Sequence, residues 1–226
     1  MITYHRDLLQ GSDEWLEVRR GLLTASEMKM ILTPTLKVAS NDKERAHLYE
    51  LLAQRITGYV EPHYIGDDML RGHEDEIEAR LLYAKHYAPV EEVGFITNDV
   101  LGFNIGCSPD GLVGDDGMIE CKSRRQKFQV EVIITGEVPT EHMMQVQTAL
   151  FVTGRKWCDY VSYCGGMPMM VIRVLPDYLH QVAIATAATA FEYRIIDRLS
   201  DFNARLDDGV SRFIPTERRI EQEMHI

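Results

Sequence analysis

Residues 107–123 read CSPDGLVGDDGMIECKS, and three of their side chains decide how the chain is read. Ser108-Pro109-Asp110-Gly111 is a turn sequence that leaves Asp110 at a strand end. Gly114-Asp115-Asp116-Gly117 is a second turn with hairpin chemistry. The apolar runs beside it, LVG at 112–114 and MIECK at 118–122, are therefore expected to pair as antiparallel strands. In a strand through 118–122 alternate side chains face opposite ways, so Ile119 and Cys121 share one face while Glu120 and Lys122 share the other. The hairpin brings Asp110 beside Glu120. Two carboxylates meeting there repel each other and need a cation, and oxygen donors with few histidines or thiols suit Mg²⁺ or Mn²⁺ better than zinc.

Working outward, residues 11–32 read as a helix with Ser12 as N-cap, a break at Gly21 and a second helix opened by Thr24 or Ser26. Residues 34–43 read as a mobile loop, and helical spacing follows over 43–57 and from about 68 to 86. Strand character then takes over in EVGFIT, LGFNIGC, LVG and MIECK. A helix is expected over 140–153, strands near 157–164 and 168–175, and a long helix from 177 to about 206 before a charged tail. That order implies a mixed α/β fold, with a central mixed sheet flanked by helices.

The 226 residues, 45% of them apolar, are read as one domain over 1–226. Cysteines at 107, 121, 158 and 164 form no CxxC pair, no secretory leader is evident, and no apolar run reaches the roughly 20 residues of a membrane span. Reduced thiols in a cytoplasm are the expectation. A formal net charge of −11 argues against non-specific wrapping of a polyanion, so any nucleic-acid contact must be local. Positive charge clusters at Arg19-Arg20, at Lys122, Arg124, Arg125 and Lys127, and at Arg155-Lys156. Single pairs of this kind are usually solvated surface, but the second cluster abuts the hairpin.

Taken alone, an SPDG turn or an E-x-K alternation is ordinary. Together, Pro109-Asp110, ten-odd residues and then Glu120-x-Lys122 resemble the PD-(D/E)xK nuclease core. WLEVRRGLLTASE at 15–27 resembles the N-terminal signature of the phage lambda exonuclease family, also described as YqaJ-like viral recombinases. That family also carries G-x-x-x-E on a helix, here Gly72 to Glu76, then SPDG, E-x-K and a glutamine pair, here Gln145-Val146-Gln147. All five motifs stand in family order between residues 15 and 147.

The resemblance implies a restriction-endonuclease-like core in a Mg²⁺-dependent exonuclease. Such an enzyme degrades one strand of duplex DNA from its 5′ end and leaves a 3′ single strand for an annealing protein. By the same resemblance Asp110 and Glu120 are shared metal ligands with the backbone carbonyl of Cys121, and Glu76 completes a second ion, Mn²⁺ being a possible substitute. Lys122 holds or deprotonates the attacking water, with Gln147 at its side. Arg19, Ser26 and Ser108 grip the terminal 5′ phosphate. Relatives form a ring-shaped homotrimer that encloses DNA, which would place Arg124, Arg125 or Lys127 toward the channel, and a phage or prophage protein acting in a bacterial cytoplasm is implied.

The residues themselves support part of this. On a helix over 140–153, Gln147 shares a face with Met143, Met144, Leu150 and Phe151, where an amide needs an internal partner or a role in the site. Glu76 has no signal beyond the motif in the acidic run HEDEIE. Arg19 could equally form a surface pair, and Ser26 could cap a helix, which is also a seat for phosphate. His73 receives no role. The alternatives are another PD-(D/E)xK nuclease, either an endonuclease or a Cas4-like enzyme needing four cluster cysteines, or an inactive DNA-end binder.

Overall fold

The computed structural model describes residues 1–62 and 66–218, so part of the expected charged tail lies outside the described residues. The chain opens with a strand at its beginning, β1 (Ile2–His5), which sequence patterning does not announce. Helix α1 (Asp13–Arg19) follows, and Ser12 caps it as expected, its hydroxyl accepting from Trp15 N at 3.2 Å. Gly21 then breaks the helix with φ of +67°, a conformation glycine adopts without strain. Beyond the break the expected second helix is mostly absent. In its place stand a two-residue strand, β2 (Leu23–Thr24), and a four-residue helix, α2 (Met28–Ile31), whose N-cap Glu27 makes no side-chain capping bond. Ser26 therefore caps nothing, and a helix this short has almost no dipole with which to seat an anion.

Residues 34–41 hold no helix, but an isolated bridge joins Leu32 to Val38. Helix α3 (Asp42–Thr57) begins at Asn41, whose side chain accepts from the amides of Lys43 and Glu44, and helix α4 (Asp67–His86) follows. Strands β3 (Phe95–Asn98), β4 (Ile105–Cys107), β5 (Gly111–Val113) and β6 (Gly117–Ser123) follow in turn. Helix α5 (Gln126–Thr135), which the sequence reading does not contain, precedes α6 (Thr140–Thr153), β7 (Trp157–Tyr163), β8 (Met170–Val174) and α7 (Tyr178–Leu206).

The strands form two mixed four-stranded sheets, ordered β1-β3-β4-β2 and β5-β6-β7-β8. In the second sheet β5 and β6 are the expected antiparallel hairpin, while β6 and β7 run parallel and are linked through α5 and α6. One face of β6 and β7, with Met118, Cys158 and Tyr160, packs under Val146, Ala149 and Val152 of α6. The opposite face, with Ile119, Cys121 and Val161, packs against Ala79 and Tyr83 of α4. The hairpin is thus clamped between two helices, and its open edge is where both can reach. All four cysteines are free and buried. Among the described residues no helix is long and apolar enough to cross a membrane.

Candidate active site

The site forms where β5 runs out. Its ladder with β6 spans Gly111–Ile119 to Val113–Gly117, so the edge of β6 beyond Ile119 has lost its strand partner. Asp110 replaces it: its N–H donates to the Ile119 carbonyl at 3.2 Å, and its Oδ2 accepts from Cys121 N at 2.6 Å. In a strand a residue's N–H and C=O leave on the same edge, so the Cys121 carbonyl also points to the side where the Asp110 carboxylate lies. Arg80 of α4 steadies the turn by donating to the Asp110 carbonyl at 3.4 Å and pairing with Glu92 at 3.1 Å.

Glu120 and Lys122 share a face, as two-residue periodicity requires. Lys122 Nζ lies 2.7 Å from Glu120 Oε1 and 3.7 Å from Glu76 Oε1. Two carboxylates thus contact one ammonium, and Asp110 acts on it electrostatically. Burial, with mutual repulsion, drives the carboxyls of Glu76 and Glu120 up to about 7 and raises that of Asp110. Burial opposes the charge on Lys122, yet Glu120, Asp110 and Glu76 together push its ammonium above the usual lysine range. The three carboxylates thus favour the charged form of Lys122.

Oxygen donors in excess of local positive charge are what a hard divalent cation is bound by, and the donor set fits Mg²⁺ or Mn²⁺ on chemical grounds. Among the described residues no group of three or more His, Cys, Asp and Glu side chains is already arranged around a metal position. The Lys122 ammonium stands between Glu120 and Glu76, the place a second cation would contest.

The glutamine pair is read differently by the fold. Gln147 is turned away from Lys122: its Nε2 donates to the Leu175 carbonyl at 2.9 Å, and its Oε1 accepts from Asp177 N at 3.0 Å and from Gln181 Nε2 at 3.1 Å. It ties α6 to the start of α7, so the internal partner, not a place beside Lys122, satisfies its amide. Gln145 instead donates to Glu120 Oε1. The signal that finds it is helical: Gln145 stands three residues after His142 and four before Ala149, on the face of α6 turned to the site.

Glu120 also borders a cavity of about 140 Å³ lined by Trp15, Arg19, Thr24, Ser26, Ser108 and Gln145, among others. Arg19 donates to Ser108 Oγ and Thr24 Oγ1, each at 3.4 Å, and its guanidinium stacks 4.0 Å above the Trp15 ring. Burial lowers its pKa, with Glu27 opposing the shift. Trp15 Nε1 also donates to Ser108 Oγ at 3.0 Å, and Ser26 Oγ lies 3.2 Å from Thr24 Oγ1. The fold therefore gathers Arg19, Ser26 and Ser108, which are far apart in sequence, into one polar pocket, and adds Trp15 and Thr24. Of the other predicted cations, Arg124 is buried and paired with Glu141 at 2.9 Å, while Arg125 is exposed. His73 is exposed at the rim of a separate cavity that Glu76, Arg80 and Asp110 also line.

Residues 14–156 match the family described as the YqaJ-like viral recombinase domain. The chain belongs to that family. Its match to the crystal structure of an alkaline exonuclease, LHK-Exo, from Laribacter hongkongensis has 31% identity and a TM-score of 0.78 over 88% of this chain and 100% of the other. The structure of LHK-Exo in complex with dAMP matches with 32% identity and a TM-score of 0.77 over the same shares. A phage related exonuclease from Haemophilus somnus 129PT, at 12% identity and a TM-score of 0.52 over 79% of this chain and 96% of the other, shows likeness of fold. Compared with curated protein sequences, the chain matches none.

Proposed function

We propose that the chain is a phage-type exonuclease that hydrolyses DNA from a 5′ end with Mg²⁺. Family membership and the exonuclease relatives at 31 and 32% identity support the coarse reading. The observation that carries the finer one is the sharing of Lys122 by Asp110, Glu120 and Glu76 next to a pocket containing Arg19. Asp110, Glu120 and the Cys121 carbonyl would hold one ion and Glu76 would complete a second. Bound cations would supply Lewis-acid stabilisation of the attacking and leaving oxygens of the phosphodiester.

The chain's own groups do the rest. Lys122 positions the attacking water and its positive charge offsets the negative charge that develops as the water gives up its proton to solvent. Gln145 fixes the Glu120 carboxylate, and Arg80 fixes the turn that carries Asp110. Arg19, with the hydroxyls of Ser108 and Ser26, grips a terminal phosphate one nucleotide from the bond to be cut, which sets the polarity of digestion.

Duplex DNA ends are the proposed substrate, a single-strand annealing protein the proposed partner, and a homotrimeric ring the proposed assembly. A ring would retain DNA topologically despite the net charge of −11. The deciding test is incubation of end-labelled linear and circular duplex with Mg²⁺. Shortening of the linear form alone, from its 5′ ends, is expected, and cutting of the circle would overturn the exonuclease reading. Light scattering should give a mass near three times 25.9 kDa, and a monomer that digests long duplexes without release would refute the ring.

A further inference from the structure

The face of β6 that carries Glu120 and Lys122 continues to Arg124, the next residue of the same parity, whose N–H is still held by the Tyr163 carbonyl at 2.7 Å. Two strand residues span about 7 Å, so the guanidinium follows the lysine at a spacing comparable to that of successive phosphates along one strand. Arg124 is 9% exposed, and although one of its terminal nitrogens pairs with Glu141, its buried Nε has no hydrogen-bond partner. It opens onto a cleft of about 900 Å³ that Arg71, Arg125 and Lys127 also line. The cleft's acidic residue, Asp75, already accepts from Ser123 Oγ at 2.5 Å.

Helix α5 points its N-terminus into this cleft with Arg125 as N-cap and no side chain capping it. Its first turn also presents Phe128, a partly exposed ring with Lys127 Nζ 4.7 Å and the Arg124 guanidinium 5.1 Å from its centroid. Four cationic side chains, a helix N-terminus and an accessible aromatic ring in a chain of net charge −11 match the needs of a nucleic-acid strand, which offers phosphates to the first two and bases to the third.

We propose that this cleft holds the phosphates on the 3′ side of the scissile bond, in the strand being cut. The inference rests on the exonuclease reading above and gives it a direction. Along β6 the order is the Arg19 pocket, Glu120, Lys122, Arg124 and the α5 cleft. The 5′ terminus lies at the first, the bond to be cut at the middle, and the continuing strand at the last.

The test uses short duplexes in which one charged linkage of the digested strand is replaced by an uncharged methylphosphonate, placed one, two or three steps to the 3′ side of the first phosphodiester. Binding is measured by fluorescence anisotropy with Ca²⁺ and cleavage with Mg²⁺. In the unmutated protein at least one of these replacements should weaken binding about fivefold. Lys127→Gln and Arg125→Gln should each weaken binding of the unmodified duplex by a similar factor and reduce the salt slope by about 1. In the variant that lacks the matching cation, the sensitive replacement should have no further effect. Full additivity of variant and replacement at every position would overturn the cleft. Coupling on duplexes that Mg²⁺ does not allow the protein to cut would overturn the exonuclease reading and leave the cleft standing, whereas normal cutting without coupling would remove the cleft alone.

Discussion

Two buried carboxylates lie on neighbouring strands of the second sheet and on opposite faces of it. Asp159 of β7, 3% exposed, pairs in register with Ile119, while Glu120 of β6, 2% exposed, pairs with Tyr160. Asp159 is fully answered. It accepts from Tyr83 OH at 2.6 Å and from Arg173 Nε and Nη2 at 2.8 and 2.9 Å, a two-pronged arginine contact. Glu120 has the amide of Gln145 and one ammonium that Asp110 and Glu76 also claim. A buried acid with its own cation and hydroxyl holds elements together, here α4, β7 and β8. A buried acid that must share its cation has acceptor capacity left over, and that surplus is available for chemistry.

The comparison predicts opposite phenotypes. Lys122→Ala or Asp110→Ala should lower the cleavage rate at least about a thousandfold, roughly 4 kcal/mol of transition-state stabilisation, with the melting temperature nearly unchanged. Chelation should abolish cleavage in the unmutated protein and Mg²⁺ should restore it. Asp159→Ala should instead cost about 2 to 3 kcal/mol of stability, because the Tyr83 hydroxyl and the Arg173 guanidinium lose their acceptor, and should spare turnover per folded molecule. Near-wild-type cleavage by Lys122→Ala, or lost cleavage with intact stability in Asp159→Ala, would dissolve the distinction between the two acids.

The active half of this comparison was legible in the sequence because it is local. Asp110, Glu120 and Lys122 lie within one hairpin, where turn chemistry and two-residue alternation fix which side chains meet. The family resemblance then brought in Glu76, Arg19, Ser26 and Ser108, which no periodicity links. What stayed hidden depends on distant partners. Strand β1 has four residues, and its identity comes from pairing with β3 about ninety positions away. Helix α5 is rich in β-branched residues in VEVIIT. Buried Gln129, bonded to the Ser162 and Pro168 carbonyls, helps to anchor it against the second sheet. The expected helix after Gly21 fails because Leu23 and Thr24 pair with β4 instead.

Smaller effects separate the two glutamines. Helical spacing correctly places Gln147 on an apolar face, but its partners, Leu175 and Asp177, are 28 and 30 positions on, so the sequence could not choose between a partner and a role in the site. Gln145→Ala should lower the cleavage rate about ten- to a hundredfold, the worth of a hydrogen bond to a charged group. Gln147→Ala should lower the melting temperature through two unsatisfied backbone groups while its kcat stays near that of the unmutated protein. The reverse pattern would restore Gln147 to the position beside Lys122.

The smallest expected effect concerns the Arg19 pocket that Glu120 borders. Arg19 is packed between the rings of Trp15 and Phe95, at 4.0 and 5.3 Å from their centroids, and its donors already reach Ser108 and Thr24. Burial lowers its pKa, but a guanidinium stays charged throughout the working range of an enzyme, so the pocket presents a fixed cation with little rotamer freedom left to lose. A phosphate bound there would gain charge-assisted hydrogen bonds that a hydroxyl cannot make, so duplexes with a 5′ phosphate should be digested about tenfold faster than those with a 5′ hydroxyl. Arg19→Ala should bring that ratio close to one by slowing the phosphorylated substrate and leaving the other nearly unaffected. Because the effect is a ratio between two substrates on the same protein, a general loss of stability cancels from it. Equal rates on both ends in the unmutated protein would take the terminal phosphate out of this pocket.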